Sequence, residues 1–241
     1  MADGRPAAAL LFQRPDLLCG AFRRQLHRLH DGAHDAVGED QLDAVAAAII
    51  AQKDYLTDLD RQIADGDHGI NMARGFQAAL DAVEEMDDTT KPGPVLYTIG
   101  KAFIRNVGGA AGPLYGMGFV RASEVCDEDT KLSVASFEKL LGAAIAGIEK
   151  RGHAKKGDKT MLDALIPIHE CFLPEHAEDK TLFEVLQEAS HAAKEGVDFT
   201  KTIAARRGRA SLVGERSIGH EDPGAVSSML MYRALYNFLR K

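Results

Sequence analysis

The sequence is poor in cysteine: Cys19, Cys126 and Cys171 are its three, they lie far apart, and none belongs to a Cys-x-x-Cys pair. An odd, scattered set argues against a disulfide framework. No apolar run approaches the ~20 residues of a membrane span, and the apolar stretch Ala7–Phe12 is too short for the core of a signal peptide. We therefore expect reduced thiols, a cytoplasmic location and no membrane partner.

An excess of positive charge is also missing, because the formal net charge is −7. Proteins that bind nucleic acid hold its phosphates with surplus Lys and Arg, so no nucleic-acid partner is expected. A nucleotide is not excluded, since it needs only a few local charges and usually a metal.

Strand signals are lacking as well, because no run of β-branched residues alternates over more than a few positions. Apolar residues recur instead at three-, four- and seven-residue steps, and one such series predicts a single helix from Leu42 to Asp60. We predict an all-α fold of about eight helices. Residues 1–37 are predicted to be an N-terminal extension with a short helix over Leu17–Leu29, and residues 38–241 the domain.

The breaks between the predicted helices are of two kinds. Some, such as Thr89–Pro94 and Pro174–Lys180, are short and plain. Four others are rich in glycine and polar residues: Asp65–Gly69, Gly108–Gly112, Gly152–Lys159 and Gly208–Gly224. Alternate loops of an up-and-down bundle share one end, so we expect the four rich loops to meet at a site there.

The strongest local feature is the acidic turn from Asp60 to Asn71. Its three carboxylates, Asp60, Asp65 and Asp67, lie within eight residues. Mg²⁺ is usually held by a few carboxylates together with substrate phosphates, and the helix that starts at His68 would offer free N–H groups to phosphate oxygens. The alternative is a helix cap with solvent-exposed acids, because Asp-Gly is a common turn dipeptide.

Two further segments are ambiguous when taken alone. The glycines of Asn106–Gly116 allow close backbone approach to a ligand, but they equally fit a tight contact between helices. Gly157–Thr160 superficially resembles a phosphate-binding P-loop but lacks the preceding strand and the adjacent Gly-Lys pair. We expect Asp158 to cap the next helix, and Met161 either to pad a base or to join the core.

The last segment, Arg206–Gly224, is a long loop in a helical domain, and such loops are usually lids or binding loops. Arg209 is a candidate partner for a phosphate. His220 is a candidate ligand or hydrogen-bond donor, or a loop histidine without a role.

Together these segments resemble the L subunit of dihydroxyacetone kinases, over about residues 40–241. The motifs that carry the resemblance follow in the family's order: Asp65–Asn71, Gly112–Gly116, Gly157–Leu165 and Gly208–Gly224. The chain departs from the family at Ala111, where Ser is usual, and at Ala64, where Gly is frequent. The missing hydroxyl at Ala111 removes one possible phosphate hydrogen bond, worth ~1 kcal/mol.

The resemblance implies a closed up-and-down barrel of antiparallel helices with ADP or ATP at one end. It implies that Asp60, Asp65 and Asp67 hold two Mg²⁺ ions. The nucleotide contacts that it implies are His68, Gly69, Ile70, Asn71, Gly109, Ala110, Ala111, Gly152, Met161, Arg209, Asp222, Pro223 and Gly224.

The implied function is to present the γ-phosphate to dihydroxyacetone, which a separate K subunit holds. This agrees with the residues, because no convincing base or nucleophile for a triose hydroxyl is found, and Arg209 is expected only as a donor-side phosphate contact. The expected partners are the K subunit and a phosphohistidine-carrying M subunit, and a homodimer is left open.

Several alternatives follow from the same resemblance. ADP stays bound and is rephosphorylated in the phosphotransferase-system form, whereas nucleotide exchanges in the ATP-dependent form. A stand-alone L chain favours the phosphotransferase-system form, since many ATP-dependent forms fuse K and L in one chain. The ketose in the K partner would be dihydroxyacetone or another such as erythrulose. A different class is an ADP-loaded regulatory module that docks on a transcription regulator without catalysis.

Overall fold

The computed structural model describes residues 39–87, 90–126 and 132–240, whose regular structure is entirely helical. The helices are α1 (Glu39–Ala51), α2 (Lys53–Ile63), α3 (His68–Glu84), α4 (Pro92–Asn106), α5 (Ala111–Glu124), α6 (Val134–Gly152), α7 (Leu162–Glu170), α8 (Pro174–Ala177), α9 (Leu182–Thr200), a 3₁₀ helix (Arg209–Ser217) and α10 (Pro223–Leu239). The all-α prediction is confirmed. The predicted extension and its helix over Leu17–Leu29 lie outside the described residues, so the boundary after residue 37 stays a prediction.

The described helices close into a ring. Helices α3, α4, α5, α6, α7, α9 and α10 pack side by side in chain order, and α10 closes the ring on α1 and α2, which pack against α3. With α1 and α2 taken as one broken helix, the ring has eight positions, as predicted. None of the described helices has both the length and the apolar character needed to cross a bilayer.

The predicted single helix from Leu42 to Asp60 is wrong in two respects. The chain leaves helical geometry at Gln52, with φ −100° and ψ 12°, and α2 continues beyond Asp60 to Ile63. The break costs little, because the Gln52 N–H still donates to the Ile49 carbonyl (3.1 Å) and the Gln52 carbonyl accepts from Leu56 (2.9 Å). The apolar periodicity that predicted a single helix therefore continues from α1 into α2 across the break.

Large apolar side chains fill the interior of the barrel. Phe76 of α3 and Phe103 of α4 are fully buried, and their rings meet edge to face with centroids 5.0 Å apart. An edge-to-face contact stabilises a pair of aromatic rings in addition to the stability gained from the apolar area that they bury.

The helix starts differ in how their N–H groups are satisfied. Helices α6 and α9 begin with capping boxes at Ser133 and Thr181. Helices α3 and α5 begin after Asp67 and Ala110, neither of which makes a side-chain capping bond. The first N–H groups of a helix lack intrahelical partners, so the starts of α3 and α5 remain suited to an anion.

Candidate functional site

A cavity of about 370 Å³ opens where the four glycine-rich loops meet, as the alternation of rich and plain loops predicts. Of the residues predicted for the site, those on its wall are Asp60, Asp65, Asp67, His68, Asn71, Gly109, Ala110, Ala111, Gly152, Met161, Arg209, Asp222, Pro223 and Gly224. The size suits a small organic ligand.

Two predicted residues, Gly69 and Ile70, are not on the cavity wall. The Ile70 side chain is 42% exposed. Gly69 instead packs against α2, where a Cβ atom would lie 1.9 Å from the Lys53 carbonyl oxygen and 2.7 Å from the Thr57 nitrogen. This glycine therefore allows α2 and α3 to approach each other beside the acidic turn.

We expect Gly69→Ala to destabilise the protein by about 1–3 kcal/mol, because the added methyl group meets backbone that cannot rotate away. Urea unfolding followed by circular dichroism measures the change. Gly108→Ala is the matched control, since a Cβ there meets nothing nearer than 3.6 Å. Equal stability of the two variants would refute the close contact between α2 and α3.

The acidic turn brings three carboxylates together. One oxygen from each of Asp60, Asp65 and Asp67 can be chosen so that all lie within 4.8 Å of one another. Gly66, with φ +73°, makes the turn between the last two acids, since this backbone region is unfavourable for other residues. Three hard oxygen donors at this spacing suit Mg²⁺.

Asp60 also organises the turn around it. Its Oδ2 accepts hydrogen bonds from the N–H groups of Asp67 (2.9 Å) and His68 (3.2 Å). Burial raises the pKa of Asp60, the two N–H donors lower it, and the charges of Asp65 and Asp67 raise it further. A divalent cation bound here would offset the repulsion among the three acids.

Arg209 reaches the acidic turn from the 3₁₀ helix. Its guanidinium forms an ion pair with the Asp65 carboxylate, 144 positions away along the chain. The pair is partly exposed to solvent, so it contributes little stability. It nevertheless shows that the Arg206–Gly224 loop lies over the carboxylates.

A buried polar network lies beneath the wall. The Tyr115 hydroxyl donates to the Gly224 carbonyl (2.9 Å) and lies 2.9 Å from Ser227 Oγ and 2.8 Å from Ser228 Oγ. Ser227 Oγ in turn lies 2.9 Å from His68 Nε2. The network links the first residue of α3 to α5 and to the start of α10, and so fixes three elements of the wall relative to one another.

Burial lowers the pKa of His68 to about 4, although a bond to the Pro223 backbone opposes the shift. His68 is therefore neutral at pH 7. A neutral imidazole that is enclosed and hydrogen-bonded to Ser227 is a weak base for a substrate hydroxyl.

Asp222 is a buried carboxylate that caps α10. Its Oδ2 accepts from the Ala225 N–H (2.7 Å), and its own N–H donates to Thr200 Oγ1 (3.0 Å). Burial raises the pKa of Asp222 to about 7, opposed by the Ala225 N–H, while Asp163 raises it further. Its charge is thus costly in the folded protein.

A pH dependence follows for the metal-free protein. Because the pKa of Asp222 rises from 3.8 to about 7 on folding, the folded state keeps a proton that the unfolded state loses between these values. We expect the free energy of unfolding, relative to Asp222→Asn, to fall as pH rises through this window, by at most ~1.4 kcal/mol per pH unit. Above pH 7 the difference levels off.

Urea unfolding of both proteins in chelator at several pH values measures this difference. The asparagine can still accept the Ala225 bond, since Asn is a good N-cap. Asp81→Asn, which makes the same substitution at an exposed carboxylate, is the matched control. A pH-independent difference between the Asp222 variant and the unmodified protein would contradict the raised pKa.

The turn before α7 is built by a different aspartate from the one predicted. Asp158 was expected to cap α7, but its Oδ2 accepts from the Lys155 N–H (3.0 Å). The carboxylate of Asp163 accepts from the N–H groups of Gly157 (2.6 Å) and Thr160 (2.8 Å). The predicted cap is therefore wrong, because Asp163 folds back from inside the first turn of α7.

Met161 lines the cavity, whereas His220 does not. Met161 is 7% exposed and contacts both the core and the cavity, so both predicted roles are compatible with its position. His220 does not line the cavity, and its Nδ1 lies 2.7 Å from Gln62 Oε1. The binding role considered for His220 has no support here.

Several wall residues were not predicted. Arg151 and Arg207 line the cavity, and each immediately precedes the first glycine of a glycine-rich loop, Gly152 or Gly208. The apolar part of the wall includes Leu114, Ile148 and Ala154. Leu114 and Ile148 lie on helices like ordinary core residues, and Ala154 follows α6, so no sequence signal distinguishes them.

Comparison with known proteins identifies the family. A DAK2 domain model matches residues 62–237. The ADP-binding subunit DhaL of the PEP-dependent dihydroxyacetone kinase of Escherichia coli is 39% identical over 184 residues, which are 76% of this chain and 87% of that protein. The corresponding DhaL subunit of kinase 1 of Listeria innocua is 42% identical over 185 residues, 76% of this chain and 86% of that protein.

The fold has a solved counterpart. The crystal structure of the dihydroxyacetone kinase from C. freundii in complex with AMP-PNP and Mg²⁺ matches with a TM-score of 0.64 and 23% identity. The match covers 83% of this chain and 33% of that chain, so it supports the helical-barrel fold alone. On the evidence of the family model and the two bacterial subunits, the chain belongs to the DAK2-domain family as an L-type subunit of the dihydroxyacetone kinases.

Proposed function

We propose that this chain is the nucleotide-binding subunit of a dihydroxyacetone kinase, which presents a phosphoryl group of a Mg²⁺-bound nucleotide to a ketose on a separate K subunit. The observation that carries the proposal is the placement of Asp60, Asp65 and Asp67 in one cavity with the starts of α3 and α5, whose N-cap residues make no side-chain capping bond. Metal ligands and anion-binding helix starts together match a polyphosphate.

The three aspartates would hold two Mg²⁺ ions. The donor set fits, because all three offer hard carboxylate oxygens and Asp65 and Asp67 are accessible from the cavity. When bound, Mg²⁺ would neutralise phosphate charge. The buried Asp60 carboxylate positions the turn, and its two N–H bonds keep it oriented towards the cavity.

The phosphates would lie between the helix starts and the arginines. The backbone at Ala110 and Ala111 brings N–H groups to the wall, and such groups favour anions. At the start of α3 the His68 N–H already donates to Asp60. Arg209, which pairs with Asp65 beside the acidic turn, would contact a phosphate oxygen. Phosphoryl transfer depends mainly on such positioning and charge neutralisation.

The adenine base of the nucleotide would lie against the apolar part of the wall. Leu114, Ile148, Ala154 and Met161 offer contact surface, and ligand sites commonly combine such surface with a few polar groups. Gly152 leaves room for the Leu114 side chain, since a Cβ there would lie 2.9 Å from Leu114 Cδ2. The Asp222–Gly224 turn would bound the remaining side.

The acceptor chemistry would belong to the K subunit. Among the described residues on the wall, the one histidine is His68, which is enclosed, neutral and bonded to Ser227. Asp222 lies on the same wall, but it is buried and its carboxylate is engaged as the cap of α10. The ketose, dihydroxyacetone or a relative such as erythrulose, would accordingly be selected by the partner.

ADP would remain bound and be rephosphorylated by a phosphohistidine-carrying M subunit. The names of the Escherichia coli and Listeria innocua relatives support this mode, since both are described as ADP-binding subunits of PEP-dependent kinases. The alternative, exchange with free ATP, predicts rapid ADP release and turnover with ATP and the K subunit alone.

Native mass spectrometry and reconstitution test the proposal. We expect one ADP and two Mg²⁺ to co-purify, and dihydroxyacetone phosphorylation to require this chain together with K and M subunits. Bound ADP without phosphorylation by any K subunit encoded nearby would favour the regulatory module. Failure to bind nucleotide at all would overturn the proposal.

A further inference from the structure

Lys159 combines two features that are unfavourable in isolation. Its side chain is only 1% exposed, and its backbone has φ +62°, in the left-handed region that non-glycine residues avoid. Burying an ammonium group is costly unless the group is well hydrogen-bonded. A strained backbone also persists only where the surrounding structure holds it in place.

The ammonium group is satisfied by backbone carbonyls. Its Nζ donates to the carbonyl oxygens of Thr200 (2.5 Å), His220 (2.6 Å) and Ser217 (2.8 Å), and the Ile203 oxygen lies at 3.4 Å. An ammonium group has three N–H donors, so the three short bonds use all of them. Lys159 is therefore not available as a phosphate ligand, in contrast to a P-loop lysine.

Two of these carbonyls belong to the last residues of helices. Thr200 is the last residue of α9, and Ser217 is the last residue of the 3₁₀ helix. Helix C-termini carry unpaired carbonyls and partial negative charge, which a cation stabilises. Burial lowers the pKa of Lys159, but the carboxylates of Asp222 and Asp163 oppose this shift and so favour the charged form.

The carbonyls of Ile203, Ser217 and His220 belong to the segment that carries Arg209, and the Thr200 carbonyl lies immediately before it. Residues 201–222 leave the barrel at Thr200 and return to it at Asp222, and Lys159 binds carbonyls near both ends. Arg206 adds a bond from its N–H to the Asp158 carbonyl (3.0 Å). Because Lys159 and Thr160 both lie on the cavity wall, the Lys159 side chain joins two parts of that wall.

We propose that Lys159 is a positioning residue that anchors residues 201–222 over the cavity, holds Arg209 opposite Asp65, and thereby slows the release of nucleotide. The effect on release rests on the proposed function. The anchoring itself does not, because it follows from the carbonyl bonds and is measurable without nucleotide.

Hydrogen exchange of the nucleotide-free protein tests the anchoring. Lys159→Met keeps the length of the side chain and removes the charge and the donors. We expect amides in residues 201–222 to exchange about tenfold faster or more, with the core helices α3 and α4 unchanged. Lys156→Ala is the matched control in the same turn, since that exposed lysine pairs with Glu170 at the surface.

Release of ADP in the presence of Mg²⁺ tests the consequence. We expect dissociation about tenfold faster or more in Lys159→Met, and unchanged dissociation in Lys156→Ala. In Lys159→Ala, which leaves space for a small amine, added ethylammonium should slow release again. Tetramethylammonium, which has no N–H donor, should not.

Three outcomes would overturn the proposal: unchanged exchange in residues 201–222 of Lys159→Met, equally increased exchange in every helix, or normal ADP release despite a loosened segment. An equal loss of hydrogen-exchange protection in every helix would show that Lys159 stabilises the whole protein rather than this segment. If the unmodified protein bound no ADP, the proposed function would fail, while the exchange experiment would still decide whether Lys159 anchors the segment.

Discussion

Asp67→Ala is expected to weaken Mg²⁺-dependent ADP binding by about 100-fold or more and to leave the barrel folded. Loss of a group that merely orients a metal ligand already costs about 10–100-fold in metal affinity, and Asp67 is a proposed ligand itself. The phosphates would also lose the charge neutralisation that the metal supplies.

Asp67 is the best of the three aspartates to remove. Its side chain makes no capping bond at the start of α3, so little folding energy depends on it. Asp60 accepts two buried N–H bonds, and its removal would disturb the turn. Asp65 pairs with Arg209, and its removal would mix loss of the metal with displacement of the loop.

Isothermal titration of ADP with and without Mg²⁺ measures the effect, and far-UV circular dichroism checks the fold. Asp54→Ala is the matched control, because this carboxylate lies on α2 with 93% of its side chain exposed and outside the cavity. Undiminished ADP affinity in Asp67→Ala would refute the metal assignment.

The acidic turn and the glycine-rich loops were predictable because their chemistry is local. Asp65, Gly66 and Asp67 specify a tight acidic turn whatever surrounds them. The alternation of rich and plain loops then predicts a common end for any up-and-down bundle. Most of the cavity wall could therefore be predicted before any tertiary contact was known.

Features that depend on tertiary contacts were not predictable. Asp158 and Asp163 are both plausible partners for the turn before α7, and only the folded chain shows that Asp163 reaches back to Gly157 and Thr160. Gly69 lies in the motif, yet its role is close packing against α2. Tyr115 and Lys159 gain their roles from partners 40 or more positions away.

The family and the observed geometry together sharpen the expectation for Arg209. The resemblance implies a phosphate contact, and the structure brings the guanidinium beside the acidic turn, paired with Asp65. A guanidinium that lies near the proposed metal ligands, on a segment that we propose Lys159 anchors, is suited to stabilise charge that develops during transfer.

We expect Arg209→Ala to lower kcat for phosphoryl transfer by about 100- to 1,000-fold, the usual effect of removing one preorganised charge donor. ADP affinity should fall by about tenfold or less, since Mg²⁺ and the helix starts would remain. Arg209→Lys should recover only part of the rate, because lysine lacks the planar pair of donors. The measurement is steady-state turnover with K and M subunits, alongside ADP titration.

The size of this effect separates catalysis from stability. A partly exposed ion pair such as Arg209–Asp65 contributes about 0–1 kcal/mol to folding, whereas a 100- to 1,000-fold loss in kcat corresponds to about 2.7–4 kcal/mol. Arg216→Ala is the matched control, because this arginine lies exposed on the same 3₁₀ helix and outside the cavity. If the two variants turned over equally fast, Arg209 would serve only to pair with Asp65, and transition-state charge would have to be stabilised by Mg²⁺ and the helix starts.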